Sequence, residues 1–344
     1  MYILPPPNLE MKSLVLLFMF SQMLLGYSIV DAVGFLSVGD WGSASLGGIH
    51  LRNAEGTSAA MKEYIAEEGD IAFVLSTGDN FYYCGIQNTS DPQISEDYTA
   101  LFGGMGLPWY HSLGNHDYGF APEAQLLLNE TIPGWNMDDR YYHRRVIIPG
   151  VPVDVNIIVL DTNPCVRDYR GTDRRRWDPC GTQYPDCSPI AEPCRFHENI
   201  LSQSCETQLA WAKGVFASIG VGEWIFVIGH HKAAEINVAD FQTAILDDPR
   251  VHLYLNGHTH NLEHYSVSNQ AKYMTTGAGG MVIIGDIAAD LPTKPANNTV
   301  KSLWSKIATG FTSHTFKDGG NTLTTDFWDI KQNKSVYSFD VKLQ

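Results

Sequence analysis

Six short apolar runs punctuate the chain, each ending on a polar cluster: Gly34 to Val38, Ile71 to Ser76, Trp109 to Leu113, Val155 to Leu160, Trp224 to Ile228 and Val251 to Leu255. Their length, their β-branched and aromatic content and the Gly, Asp or Asn that bounds them predict buried strands. Helix-like stretches lie between some of them, notably Arg52 to Glu68 and Glu206 to Ser218. Strands alternating with helices predict an α/β fold with both sheet faces covered. After Tyr273 the helical signal fades. Gly310 to Phe316, Thr322 to Trp328 and Ser335 to Val341 read as antiparallel strands, joined through turns at Gly319-Gly320 and Gln332-Asn333. No internal repeat or low-complexity linker interrupts the pattern.

One segment breaks the rhythm. Thr162 to Cys205 has little periodicity, many Pro and Gly, and five of the six cysteines: Cys165, Cys180, Cys187, Cys194 and Cys205. A loop this long is functional or disordered, and the cysteines favour a stapled, ordered insertion. They lack the close C-x-x-C pairs of zinc ribbons, so disulfides in an oxidising compartment are expected. The same segment carries Arg167, Arg170, Arg174, Arg175 and Arg176. These read either as a solvated face offsetting acidic neighbours or as a rim that attracts anions.

The beginning of the chain agrees with export. Lys12 precedes an apolar run from Leu14 to Leu25, with small residues at Gly26 and Ser28 where a peptidase could cut. About twelve apolar residues are too few to span a bilayer. Residues 1–28 are therefore expected to be a signal peptide, with Met11 as the expected true start because Met-Lys is the usual opening. Residues 29–344 then form a single catalytic domain. Four glycosylation sequons begin at Asn88, Asn129, Asn297 and Asn333. The expected destination is the exterior or a lysosome- or vacuole-like compartment, as a monomer with no membrane contact once the leader is removed.

At 344 residues, 44% hydrophobic and 18% charged, the chain can bury a large core. Its net charge of -15 argues against broad contact with nucleic acid or anionic lipid, which needs positive potential. A small anionic substrate would need a local positive centre, and metal ions are the simplest way to supply one.

The polar residues that close the apolar runs fit that need. Asp40 follows the first run in Gly39-Asp40-Trp41-Gly42, and Asp79 the second in Gly78-Asp79-Asn80-Phe81-Tyr82. Asn115 follows the third in Gly114-Asn115-His116-Asp117; His230 follows Gly229, and His258 and His260 follow Gly257. Open α/β sheets gather their sites at the carboxyl ends of strands, and a glycine beside each residue lets the backbone turn and approach closely. Any one Gly-Asp or Gly-His after a strand is ordinarily a turn. Five together form a set of carboxylate, amide and imidazole donors suited to a metal cluster.

This constellation resembles the calcineurin-like metallophosphoesterases from Gly34 to about Gly280. General members carry Asp-x-His in the first block, whereas this chain has Asp40-Trp41-Gly42 and instead places Tyr82 three residues after Asp79. In that it is similar to the purple acid phosphatases, the small tartrate-resistant type in particular. The resemblance implies a two-sheet β core flanked by helices on both sides. It also implies that Asp40, Asp79, Tyr82 and His260 hold Fe(III) while Asp79, Asn115, His230 and His258 hold a divalent iron, zinc or manganese ion. The donor types agree independently, since phenolate and carboxylates suit a hard trivalent cation and neutral imidazole and amide suit a divalent one. The implied reaction is hydrolysis of phosphate monoesters by a metal-bound hydroxide. A trivalent ion acidifies its water more strongly than a divalent one, so an acidic pH optimum is expected.

His116, beside Asn115 and with Asp117 placed to orient its ring, is a candidate for binding phosphate together with Asn115 and for protonating the leaving group. His231 is the other candidate. The animal enzymes carry Gly-His-Tyr-Pro and a further histidine, but this chain reads Gly229-His230-His231-Lys232-Ala233 with Ala239 near that later position. His264 is expected either in the pocket wall or in a structural role, and His50 and His314 as ordinary surface or core residues. Two rivals remain: a phosphodiesterase on the same scaffold, and a non-catalytic secreted glycoprotein that keeps the fold for binding.

Overall fold

The central strands of one sheet alternate their side chains between two cores, which explains why their sequences are continuously apolar. In β6 (Val155–Val159), Val155, Ile157 and Val159 enter one apolar cluster and Ile158 a second. In β7 (Trp224–Ile228), Trp224, Phe226 and Ile228 enter the first, and Ile225 and Val227 the second. A strand covered on both faces needs apolar residues at both parities. The structure is a computed structural model that describes residues 33–171, 178–180, 194–282 and 300–344. The expected leader, Arg174 to Arg176, Cys187 and the sequon at Asn297 lie outside the described residues. Ala32–Gln344 forms one compact unit.

Two seven-stranded mixed sheets make up the fold. The first runs β14 (Lys334–Lys342), β13 (Thr322–Asp329), β12 (Gly310–Lys317), β1 (Val33–Val38), β2 (Ile71–Ser76), β3 (Trp109–His111) and β4 (Trp135–Asn136). The second runs β11 (Val300–Lys306), β9 (Leu262–Val267), β10 (Gln270–Thr276), β8 (Leu253–Asn256), β7, β6 and β5 (Tyr142–Val146). Strands β1 to β4 are mutually parallel, as are β6, β7, β8 and β10. The inner faces meet through Phe35, stacked on Phe73 at 4.9 Å and touching Phe226 of the opposite sheet at 5.1 Å.

Helices cover the outer faces. The first, α1 (Gly48–Glu68), stops where Gly69 adopts φ 80° and returns its N–H to the Ile65 carbonyl, the left-handed cap that glycine supplies most readily. The second, α2 (Cys205–Ser218), starts where the Ser204 side chain accepts the Thr207 N–H. Its Ala212 and Phe216 pack into the second cluster with Ile158, Ile225 and Val227.

The α/β reading with a two-sheet core holds, and the predicted strands and helices fall within a few residues of the observed ones. Strands β9, β10 and β11 had no counterpart in the apolar pattern. β9 and β10 carry polar residues that are nevertheless buried, among them Glu263, His264, Lys272 and Thr275, and β11 is an edge strand with no buried residue.

Where the sheets meet, Gly39 after β1 donates its N–H to Thr276 O of β10 at 2.8 Å, and the Thr276 hydroxyl donates to Ser37 O at 3.0 Å. This seam brings the carboxyl ends of β1, β2 and β3 to the carboxyl ends of β7 and β8.

Candidate metal centre

The seam carries the polar residues that close the apolar runs. Asp40, Asp79 and Asn115 follow the neighbouring parallel strands β1, β2 and β3, and His230, His258 and His260 follow the neighbouring strands β7 and β8. Four of these sit in left-handed backbone: Asp40 (φ 55°), Asp79 (φ 53°), His258 (φ 72°) and His260 (φ 50°). Left-handed conformation costs a residue other than glycine on the order of 1–2 kcal/mol. Its concentration here marks a region where side-chain placement outweighs backbone comfort. Close packing demands the adjoining glycines, since a Cβ on Gly114 would lie 2.1 Å from Asp79 Oδ1 and one on Gly257 would lie 2.4 Å from Asp40 Oδ2.

The side chains form two groups that share one carboxylate. In the first, Tyr82 Oη lies 2.8 Å from Asp79 Oδ2, 3.0 Å from Asp40 Oδ1 and 3.0 Å from His260 Nε2. In the second, Asn115 Oδ1 lies 3.1 Å from His230 Nε2 and 2.9 Å from His258 Nδ1. Asp79 Oδ2 also lies 3.3 Å from His230 Nε2, so this one oxygen touches both groups. His230 Nδ1 faces the Thr77 carbonyl at 2.8 Å. A carbonyl only accepts, so Nδ1 carries a proton there and Nε2 is the nitrogen that faces the cluster.

Burial opposes the charge on Asp79, but the imidazoles of His230, His116 and His258 outweigh it and hold its carboxyl below the usual range. Burial, with Asp40 and Asp79 beside it, raises the Tyr82 phenol. Asp40 and Asp79 are fully buried, and among the described residues no lysine or arginine pairs with either. Uncompensated buried carboxylates are costly. Two of them converging with a phenol, an amide oxygen and three imidazoles form a donor set that fits metal cations.

His116 donates Nδ1–H to Tyr83 O at 2.6 Å and its backbone N–H to Asp79 Oδ1 at 2.9 Å, with its ring 4.5 Å from that of Tyr82. Asp117 does not orient that ring, as the sequence suggested. Its carboxylate instead accepts the backbone N–H of Gly114, Asn80 and Phe81 at 2.7, 3.0 and 3.1 Å, together with the Gln125 amide. It staples the loop after β2 to the loop after β3. His231 stands 4.6 Å from His258, with Nδ1 bonded to Thr162 Oγ1 and Nε2 to Tyr169 Oη, both at 2.7 Å.

The structure does not bring His264 to the cluster. It stacks on Phe339 at 3.8 Å, and its nitrogens meet Tyr337 Oη and Ala271 O. The expected core role of His314 is realised, since it is fully buried.

Sequence reasoning missed Tyr169 and Glu235. Tyr169 arrives from the aperiodic Cys-rich segment, where no pattern singles it out. Glu235 Oε1 stands 3.9 Å from His258 Nε2, and its Oε2 accepts the Lys232 N–H. Cys165–Cys205 and Cys180–Cys194 are disulfides, and Cys84 is also disulfide-bonded. Arg170 is no anion-facing rim, because its guanidinium donates to the carbonyls of Pro164, Ile200 and Gln203.

A model of the calcineurin-like phosphoesterase family matches residues 35–262. The chain belongs to that family. Among these phosphoesterases it is 29% identical to the tartrate-resistant acid phosphatase type 5 of Oryctolagus cuniculus, over 78% of this chain and 80% of that one. It is 31% identical to purple acid phosphatase 4 of Arabidopsis thaliana, over 72% and 68%. It stands with the purple acid phosphatases of the tartrate-resistant kind. Among solved structures, the phosphoesterase resembles GAP50, described as the anchor in the inner membrane complex of Plasmodium, with a TM-score of 0.62 at 21% identity over 91% of this chain and 89% of that one. Purple acid phosphatase PPD1 from Lupinus luteus seeds gives a TM-score of 0.50 at 15% identity, over 90% and 54%. At these identities the two structures speak for the fold alone.

Proposed function

We propose that this acid phosphatase is secreted and hydrolyses small phosphate monoesters at a dinuclear centre of Fe(III) and a divalent iron, zinc or manganese ion. The observation that carries the reading is the shared carboxylate, with Asp79 Oδ2 within reach of both Tyr82 Oη and His230 Nε2. Asp40, Tyr82 and His260 would hold the trivalent ion, Asn115, His230 and His258 the divalent one, with Asp79 between them. When bound, the ions supply positive charge for phosphate within an acidic protein, polarise the phosphoryl group and acidify the attacking water.

The chain's own residues do the rest. His116 is held by Tyr83 O and by Asp79, which fixes its ring beside Tyr82 at the edge of the cluster. From there, once acid protonates the second nitrogen against the burial that lowers its pKa, it steadies a phosphoryl oxygen and gives its Nε2 proton to the leaving oxygen. His231 serves as a wall for His258, because Thr162 and Tyr169 engage both of its nitrogens. The disulfides support passage through an oxidising compartment. Among the described residues no helix is long and apolar enough to cross a membrane.

The test is the visible spectrum, metal content and nitrophenyl phosphate turnover of purified wild type and Tyr82→Phe. A violet band lost in Tyr82→Phe is the expected result. A colourless, active, iron-free wild type would overturn the Fe(III) assignment, and faster turnover of the bis-ester than of the monoester would overturn the substrate class.

A further inference from the structure

On the outer face of the first sheet, away from the candidate centre, α1 and the turn between β13 and β14 enclose a cavity of about 340 Å³. That lies at the small end of the roughly 300–1,000 Å³ typical of small-ligand sites. Its floor is aromatic. Trp328 lies parallel to Phe311 at 5.9 Å, and Tyr64 meets Trp328 edge-on at 5.2 Å. The indole is fixed because Nε1–H donates to Ser313 Oγ at 2.9 Å, so what it offers the cavity is apolar ring. The rim is acidic. Glu63 and Glu67, one turn apart on α1, are exposed and pair with no cation among the described residues.

Aromatic faces bordered by carboxylates suit a polyhydroxylated ring. A pyranose presents C–H groups on its flat face, which aromatic rings bury, and hydroxyls on its circumference, which carboxylates accept. The sequence supplies such a ring at this place. Asn333, of the sequon Asn333-Lys334-Ser335, lines the same cavity, is exposed, and sits in left-handed backbone (φ 46°) at the turn. Its amide makes no hydrogen bond among the described residues. The other described sequon asparagines differ: Asn129 bonds the N–H and carbonyl of Met137, and Asn88 Oδ1 accepts the Ser90 N–H.

We propose that this cavity is a carbohydrate site filled in cis by the N-linked glycan of Asn333, its first N-acetylhexosamine pressed on Trp328 and Tyr64 with hydroxyls bonded to Glu63 and Glu67. The proposal rests on the export reading above, since only a chain that enters the secretory pathway acquires the sugar.

The test expresses the full chain in a glycosylating eukaryotic host and follows endoglycosidase release from each sequon of the folded protein by mass spectrometry. The glycan at Asn333 should leave about tenfold more slowly than those at Asn88 and Asn129, the factor given by about 1.4 kcal/mol of docking. Trp328→Ala should bring the rates together. Because Trp328 also packs internally, the surface pair Glu63→Gln with Glu67→Gln serves as a second variant and should close part of the gap. Equal rates in wild type, or sugar at Asn88 and Asn129 with none at Asn333, would overturn the docking while leaving export intact. Sugar at no sequon would overturn both.

Discussion

Neutral His314 sets a limit on how stable this fold can be in acid. It lies on β12 with no exposed surface, stacked on Phe35 at 4.2 Å, with Nε2 2.9 Å from Ser37 Oγ and Nδ1 2.9 Å from Thr325 Oγ1. Burial alone pushes its pKa down from 6.5 to about 3. The sign follows directly. Below pH 6.5 the unfolded chain takes up a proton that the folded chain refuses, so the stability contributed by neutral His314 is complete above 6.5 and is lost as pH falls toward 3. At pH 4, about 2.5 units below 6.5, the loss is about 3 kcal/mol at about 1.4 kcal/mol per unit. His314→Gln keeps an amide for the two hydroxyls and removes the titration. At pH 7 the variant should be weaker by about 1–2 kcal/mol, the ordinary cost of imperfect buried hydrogen bonds. By pH 4 it should be the more stable protein, with the crossing between about pH 5 and pH 6 on the same bookkeeping. Urea unfolding at fixed salt with disulfides intact, at pH 7, 6, 5 and 4, measures it. If the difference between variant and wild type is the same at pH 7 and pH 4, the reasoning is wrong.

Other expectations follow from the same geometry. Asp117→Ala strands three buried backbone N–H groups and should cost at least about 3 kcal/mol in urea unfolding, with Asp117→Asn milder because one acceptor oxygen remains. Lys232→Met leaves Glu263 buried without its ammonium partner and should destabilise by about 3–5 kcal/mol. The double change with Glu263→Leu should recover most of that, and a double change no better than the single one would refute the pairing. Tyr169→Phe removes the hydrogen bond that holds His231 against His258. Divalent-ion affinity, read by dialysis against a competing chelator, should fall by up to about tenfold, the low end of the loss when a ligand's own hydrogen-bond partner is removed; unchanged affinity would leave Tyr169 without a positioning role.

What the sequence revealed depended on whether the determining contact was local. Strands such as β2, β6 and β7 were legible because burial on both faces leaves a continuous apolar run. β9 and β10 were not, because buried Glu263 pairs with Lys232, buried His264 stacks on Phe339, and Lys272 donates to Asp248 O. Polar residues satisfied by distant partners look exposed when read in order. The division into two sheets came from the family resemblance and not from the apolar pattern, since β1 takes β12 as a neighbour from the far end of the chain. The acid, amide and imidazole donors announced themselves by following a strand and a glycine. The surroundings of those donors did not: Asp117 reaches back to Asn80 and Phe81, and Tyr169 comes from a segment with no period at all.

The left-handed backbone at Asp40, Asp79, His258 and His260 also makes these positions a gauge of selection. At each one glycine would relieve backbone strain, and at the two aspartates it would also remove a buried charge, so the changes that abolish the donor set relax the fold. A lineage released from catalysis should therefore lose these residues early and without harm to its stability. A lineage that retains all four is paying in strain for chemistry it still uses.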